Sequence, residues 1–156
     1  MTTRQPAPAE LLQARLHALN DMQLTLKHAH WNVLGPEFVA VHEMLDAHAD
    51  SVRAMTDEVA ERIATLGTVA RGTPGALVAE RTWEDYRVER ADALTHLRAL
   101  DAVYTRVVDG TRAATAAVGG IDPVTEDLLI GQLRELERLR WFIRAHTAGE
   151  HHARPA

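Results

Sequence analysis

The sequence predicts an all-α fold: a four-helix bundle in which a long crossover joins the second helix to the third. Three observations carry this. Hydrophobic residues make up 46% of the 156 positions but aromatics only 4%, so Leu, Val and Ala must fill the core, a profile that favours helices over strands. The apolar residues recur at three- and four-residue intervals in four long stretches, the signature of helices that each bury one face. The 9 glycines and 6 prolines gather mostly at the ends of those stretches and in one region between the second and third.

Residues 1 to 8 carry two prolines and little else, and read as a flexible N-terminal arm. From Ala9, the spacing of Leu12, Leu16, Leu19 and Leu26 makes a first helix, which ends by Leu34 because Gly35-Pro36 cannot continue it. Phe38, Val41, Leu45, Val52, Val59, Ile63 and Leu66 mark a second helix with Gly67 as its C-terminal cap. Residues 67 to 88 hold Gly67, Gly72, Pro74 and Gly75 and predict a crossover with a short helix over Ala76 to Glu80. Leu94, Leu97, Leu100, Val103, Tyr104 and Val107 define a third long helix that stops at Gly119-Gly120. Asp122-Pro123 opens the fourth, since Asp caps well and Pro fits the first helical position. Leu129, Leu133, Leu136, Leu139, Phe142 and Ile143 carry it to about His146. One bundle domain over residues 9 to 148 and a short tail over 149 to 156 complete the organisation; a chain of this length suffices for one hydrophobic core.

The chain has no cysteine, so any metal must be held by His, Asp and Glu. Its 9 histidines point weakly that way. A formal net charge of −5 repels nucleic acid at long range. No stretch approaches the roughly 18 uninterrupted apolar residues of a membrane span, and the first residues lack the apolar centre of a signal peptide. A cytoplasmic location is the expectation.

The second helix carries His42, Asp46, Asp57 and Glu61. At about 100° per residue, with His42 at zero, the others fall near 40°, 60° and 100°, so all four share a face. Yet Asp46 and Asp57 stand about 16 Å apart along the axis at about 1.5 Å per residue, too far to grip one metal within a chain. Two antiparallel copies close that gap, because residue numbers that meet across a two-fold axis have a constant sum, and 42 + 61 equals 46 + 57. An axis near Ser51 and Val52 sets His42 level with Glu61 of a second chain and Asp46 level with its Asp57, and an isologous interface makes two identical sites. His30, on the inward stripe of the first helix, adds a nitrogen. The expected metal ligands, which are also the catalytic residues, are therefore His30, His42 and Asp46 from one subunit with Asp57 and Glu61 from another. A single acidic helix more often has only a solvated polar face, and a lone His30 is more often a packed core residue; ligand type, face and symmetry coincide here. His17, His28, His48, His96, His146, His151 and His152 lack such company and read as packing or surface residues, His48 lying about 240° from His42 on the wheel.

The run HAHWNVLGPEFVAVHEMLDAHADSVRAMTDEVAERIATLG resembles the signature of the Dps family, mini-ferritins of the ferritin-like superfamily. The family's AHWN is matched by Ala29 to Asn32, its VHEMLD by Val41 to Asp46, and its D-x-x-A-E-R by Asp57 to Arg62; Asp122, Thr125, Asp127 and Trp141-Phe142-Ile143 extend the similarity, while residues 68 to 100 match poorly. The resemblance implies a ferritin-like bundle that assembles through two-fold dimers into a hollow dodecamer. It implies oxidation of Fe(II) to Fe(III), with hydrogen peroxide or O2, at sites shared across the dimer axis, and storage of the product inside. Carboxylates and imidazoles suit both iron oxidation states, and zinc is a possible substitute. In the family, Trp31 corresponds to a side chain that absorbs oxidising equivalents, though packing explains it as well. Asp122, Glu126 and Asp127 match residues that line negative pores and draw in Fe(II); equally, acids at a helix N-terminus need no function.

Two rivals stand beside this. Other di-iron enzymes of the superfamily place Glu-x-x-His motifs within one bundle, and no Glu here has a His three residues later. The alternative function is a shell that binds and compacts DNA without strong ferroxidase activity. The first ten residues offer only Arg4 and the last eight only Arg154, and Arg134, Arg138, Arg140 and Arg144 alternate with acids or Leu. DNA binding is expected to be weak or absent at neutral pH, with the terminal histidines leaving room for it in acid.

Overall fold

A computed structural model describes residues 7–148. The expected arm and tail lie almost wholly outside them, with Arg4, His151, His152 and Arg154. Four long helices form the bundle: α1 (Pro8–Asn32), α2 (Phe38–Thr65), α4 (Ala93–Val118) and α5 (Pro123–Ala148), with the short α3 (Pro74–Glu80) in the crossover. α1 starts at Pro8, one residue before the apolar spacing starts it, because proline fits a first helical turn. α3 likewise begins at Pro74, capped by the Thr73 hydroxyl, which accepts from the Ala76 amide.

Named contacts give the direction of each helix. Lys27 meets Asp46 while Asn20 and Thr56 line a common cavity, so α1 and α2 run antiparallel. Arg62 meets Asp122 and His48 meets Phe142, which sets α5 antiparallel to α2. Arg15 reaches Val107 and His28 flanks Tyr86 beside His96, which sets α4 antiparallel to α1. α2 and α4 are consequently parallel, and only a crossover spanning the bundle's length can join them.

The core follows the spacing. Leu12, Leu16, Leu19 and Leu26 of α1, Val41, Leu45, Val52, Val59 and Ile63 of α2, Leu97, Leu100, Tyr104 and Val107 of α4, and Leu129, Leu136, Leu139 and Ile143 of α5 are all buried. α2 ends where expected: Gly67 takes a φ of 78°, the Thr68 amide donates to Ile63 and the Gly67 amide to Ala64. A side chain at that φ costs roughly 1 kcal/mol or more.

The sequence-based assignment misses one element. Val33–Leu34 (β1), expected as the last turn of the first helix, pairs parallel with Ala91–Asp92 (β2). The pair fastens the α1–α2 turn to the chain entering α4, where Asp92 caps the helix by accepting from the Thr95 amide. The crossover is anchored by buried Asp21, which accepts from Trp83 Nε1 at 2.8 Å and from the guanidinium groups of Arg81 and Arg106 at 3.3 Å each.

Candidate metal centre

His30 lies in the last turn of α1 and His42 in the second turn of α2, and the tight reversal between them brings the two rings together. Gly35 makes that reversal with a φ of 103°, a region that side chains avoid. The imidazoles stack with centroids 3.6 Å apart. Each Nδ1 is 2.8 Å from the other residue's backbone carbonyl. A carbonyl only accepts, so both Nδ1 atoms carry the hydrogen and both Nε2 atoms of the neutral rings carry a lone pair, the arrangement a metal ligand needs. Phe38 packs against the outer face of His42 at 4.8 Å.

Asp46, one turn beyond His42, places Oδ1 3.9 Å from His30 Nε2 and 2.5 Å from Lys27 Nζ. The hydrogen bond from Lys27 holds its carboxyl below the ordinary value; partial burial opposes this, while the charge of Lys27 reinforces it. Lys27 went unremarked in the sequence, although it is the chain's single lysine against 16 arginines and stands three residues before His30, on the same face. Its ammonium also lies 5.7 Å from the centre of the Trp31 ring, and Trp31 is 67% exposed.

Asp57 and Glu61 are exposed on α2, about 16 Å or more from Asp46 along the axis. Asp57 lines a different cavity, with Arg53, Asn20 and Gln23. One chain thus gathers His30, His42 and Asp46, and leaves Asp57 and Glu61 apart. Among the described residues, no three His, Asp or Glu side chains converge closely enough to hold a metal by themselves.

Asp122, Glu126 and Asp127 separate into two kinds. Asp122 is enclosed: Thr125 Oγ1 donates to it at 2.5 Å, and Arg62 binds both its oxygens at 2.9 and 2.7 Å. These bonds, Thr125's first, draw its carboxyl down to about 2. Glu126 is half-buried beside Gly119, and Asp127 is exposed. The other described histidines are packed or surface residues: His48 bonds the Tyr104 hydroxyl at 2.8 Å, His96 bonds that of Tyr86 at 2.9 Å, and His28 Nε2 bonds the Val88 carbonyl.

A four-helix bundle with a long crossover and histidine and carboxylate side chains beside its first turn defines a ferritin-like protein. Residues 9–149 match the ferritin-like domain. The "DNA protection during starvation protein" of Mycolicibacterium smegmatis is 54% identical over 88% of this chain and 75% of its own length. The structure of DpsA14 from Streptomyces coelicolor superimposes with a TM-score of 0.88 at 67% identity, covering 89% of this chain and 83% of that one. Dps92 from Deinococcus radiodurans gives a TM-score of 0.85 at 28% identity over 88% and 84% of the two chains. The chain belongs to the Dps family.

Proposed function

We propose that this protein oxidises Fe(II) to Fe(III) at sites shared between two subunits and stores the product in a hollow dodecamer. The observation that carries this is the reciprocal pair of hydrogen bonds between His30 and His42, which frees both Nε2 lone pairs, that of His30 3.9 Å from Asp46. That half-site lacks enough ligands for iron, and Asp57 and Glu61, related to it by the constant sum, supply the rest from the partner subunit. Fe(II) is the substrate and displaces Lys27 from Asp46. With hydrogen peroxide as oxidant, each of two Fe(II) ions gives one electron, the O–O bond breaks, and two protons complete two waters. Asp46, Asp57 and Glu61 stabilise the higher charge of Fe(III).

Glu126 and Asp127 are the residues we assign to an acidic entry for Fe(II), with Asp122 neutralised by Arg62 and acting as the helix cap. Trp31, exposed beside the half-site, is the side chain we assign to absorbing a stray oxidising equivalent. Protection of DNA, in the name of the mycobacterial relative, comes in this account from removing Fe(II) and peroxide in the cytoplasm. The net charge of −5 argues against tight duplex binding at neutral pH, and no gel shift is expected at physiological salt. Crystals soaked in Fe(II) test the site: anomalous scattering at the iron edge should peak between subunits at His30, His42 and Asp46. A peak confined to other residues would contradict it.

A further inference from the structure

A cavity of about 620 Å³ lies between α1, α4 and the crossover, and none of the residues assigned to iron lines it. Arg15, Arg71 and Arg106 do. Arg106 is committed, bonding Asp21 and stacking 4.5 Å from the centre of the Trp83 ring. Arg15 has one hydrogen bond, from Nη1 to the Val107 carbonyl at 3.4 Å, and no carboxylate partner among the described residues. Its guanidinium sits in a notch that only glycine leaves open, since a Cβ on Gly110 would lie 2.3 Å from Nη1. Burial, and then the like charge of Arg106, lower its pKa from the ordinary value. A largely buried cation beside another cation is costly unless an anion joins it.

His17, 3% exposed, lines the same wall. Gln13 is fixed by two bonds to Arg71, its Oε1 accepting from the amide and its Nε2 donating to the carbonyl. Its Nε2 therefore also donates to His17 Nε2, 3.1 Å away, which puts the hydrogen of the neutral ring on Nδ1. That buried N–H has no acceptor. The wall thus carries spare donors on Arg15, with the unpartnered His17 Nδ1 buried behind it. The Arg71 guanidinium likewise has no bond or ion pair among the described residues.

We propose that this cavity binds a small oxyanion group, a phosphate or a carboxylate, with Arg15 as its principal ligand and Arg71 and Arg106 beside it. The planar guanidinium fork matches two oxygens of either group. Glu10 and Glu80 also line the cavity and Arg106 is already paired with Asp21, so the lining has little net charge to spare and favours a ligand of low charge over a polyanion.

Calorimetric titration of the assembled protein with inorganic phosphate, and separately with succinate, at constant ionic strength tests this. Saturable binding is expected in at least one arm, and the arm that binds identifies the chemistry. Arg15→Gln should weaken it by about tenfold or more. Gly110→Ala should do the same by expelling the guanidinium, whereas Gly131→Ala, whose Cβ meets nothing within 4 Å, should not. Iron oxidation by the Arg15→Gln shell should equal that of the wild type, which keeps this test independent of the iron site. No saturable binding in either arm, or equal binding by Arg15→Gln, overturns the proposal. So does a shell that dissociates on Arg15→Gln without responding to anions, since the counter-charge would then come from a neighbouring subunit.

Discussion

Asp21 and Asp46 are acids of the α1–α2 pair, and they are treated oppositely. Asp21 is buried under the crossover and saturated by Trp83, Arg81 and Arg106. Asp46 is half exposed and bonded by one lysine. A carboxylate enclosed by three fixed donors has no capacity left for a metal and serves the fold. One held by a flexible, hydrated ammonium can exchange that partner for a cation. The number and stiffness of its donors, more than the presence of an acid, separate a structural carboxylate from a candidate ligand.

The largest expected effect tests the structural side. Asp21→Ala leaves Arg81 and Arg106 without their shared partner and should destabilise the subunit by about 3 kcal/mol, the low end for a broken buried pair because Arg106 keeps some solvent. Thermal melting measures this, and iron oxidation per folded shell should stay unchanged. A loss of activity without a loss of stability would break the distinction.

His48 provides a second, smaller test. Burial, and then the charge of Arg138, lower its pKa from 6.5 to about 4. The unfolded chain therefore binds a proton that the folded chain refuses between those values, so stability falls as pH drops from about 6.5 toward 4. A loss on the order of 2 kcal/mol is expected. Denaturant midpoints from pH 7 to 4 should slope less in His48→Asn; equal slopes would assign the pH dependence elsewhere.

The smallest effect sharpens the open side. Lys27→Met removes the ammonium that competes for Asp46, and Co(II) affinity of the assembled protein should rise on the order of fivefold, as expected for losing a solvent-exposed ion pair. Unchanged or weaker binding would make Lys27 a support for the site and not its competitor.

Much of this was legible in the sequence because helices report their buried face through spacing. Leu12 to Leu26 and Val41 to Ile63 identify two helices and their inner sides, and Gly35 and Gly67 mark where they end. The placement of His42 and Asp46 one turn apart on one helix was legible for the same reason. The crossover was not. Its anchor joins Asp21 to Trp83 and Arg106 across 62 and 85 residues, and no local period encodes such a contact. Strands β1 and β2 are two residues each, too short for alternation to show. The pairing of Arg62 with Asp122 was hidden likewise, so the acids at the start of α5 looked equivalent when one is already neutralised. Lys27 carried a readable signal, as a single lysine among arginines three residues before a candidate ligand.

The central claim is that one site is built from two chains, and co-assembly of two inactive variants tests it most directly. His42→Ala and Glu61→Ala homodimers are each defective at both sites. In a mixed dimer one site combines both lesions, while the other draws intact His42 from the Glu61→Ala subunit and intact Glu61 from the His42→Ala subunit. Initial rates of peroxide-dependent Fe(II) oxidation should therefore rise on co-refolding, up to one intact site per mixed dimer, with mass spectrometry confirming the mixture. No rise despite proven mixing would contradict the shared site.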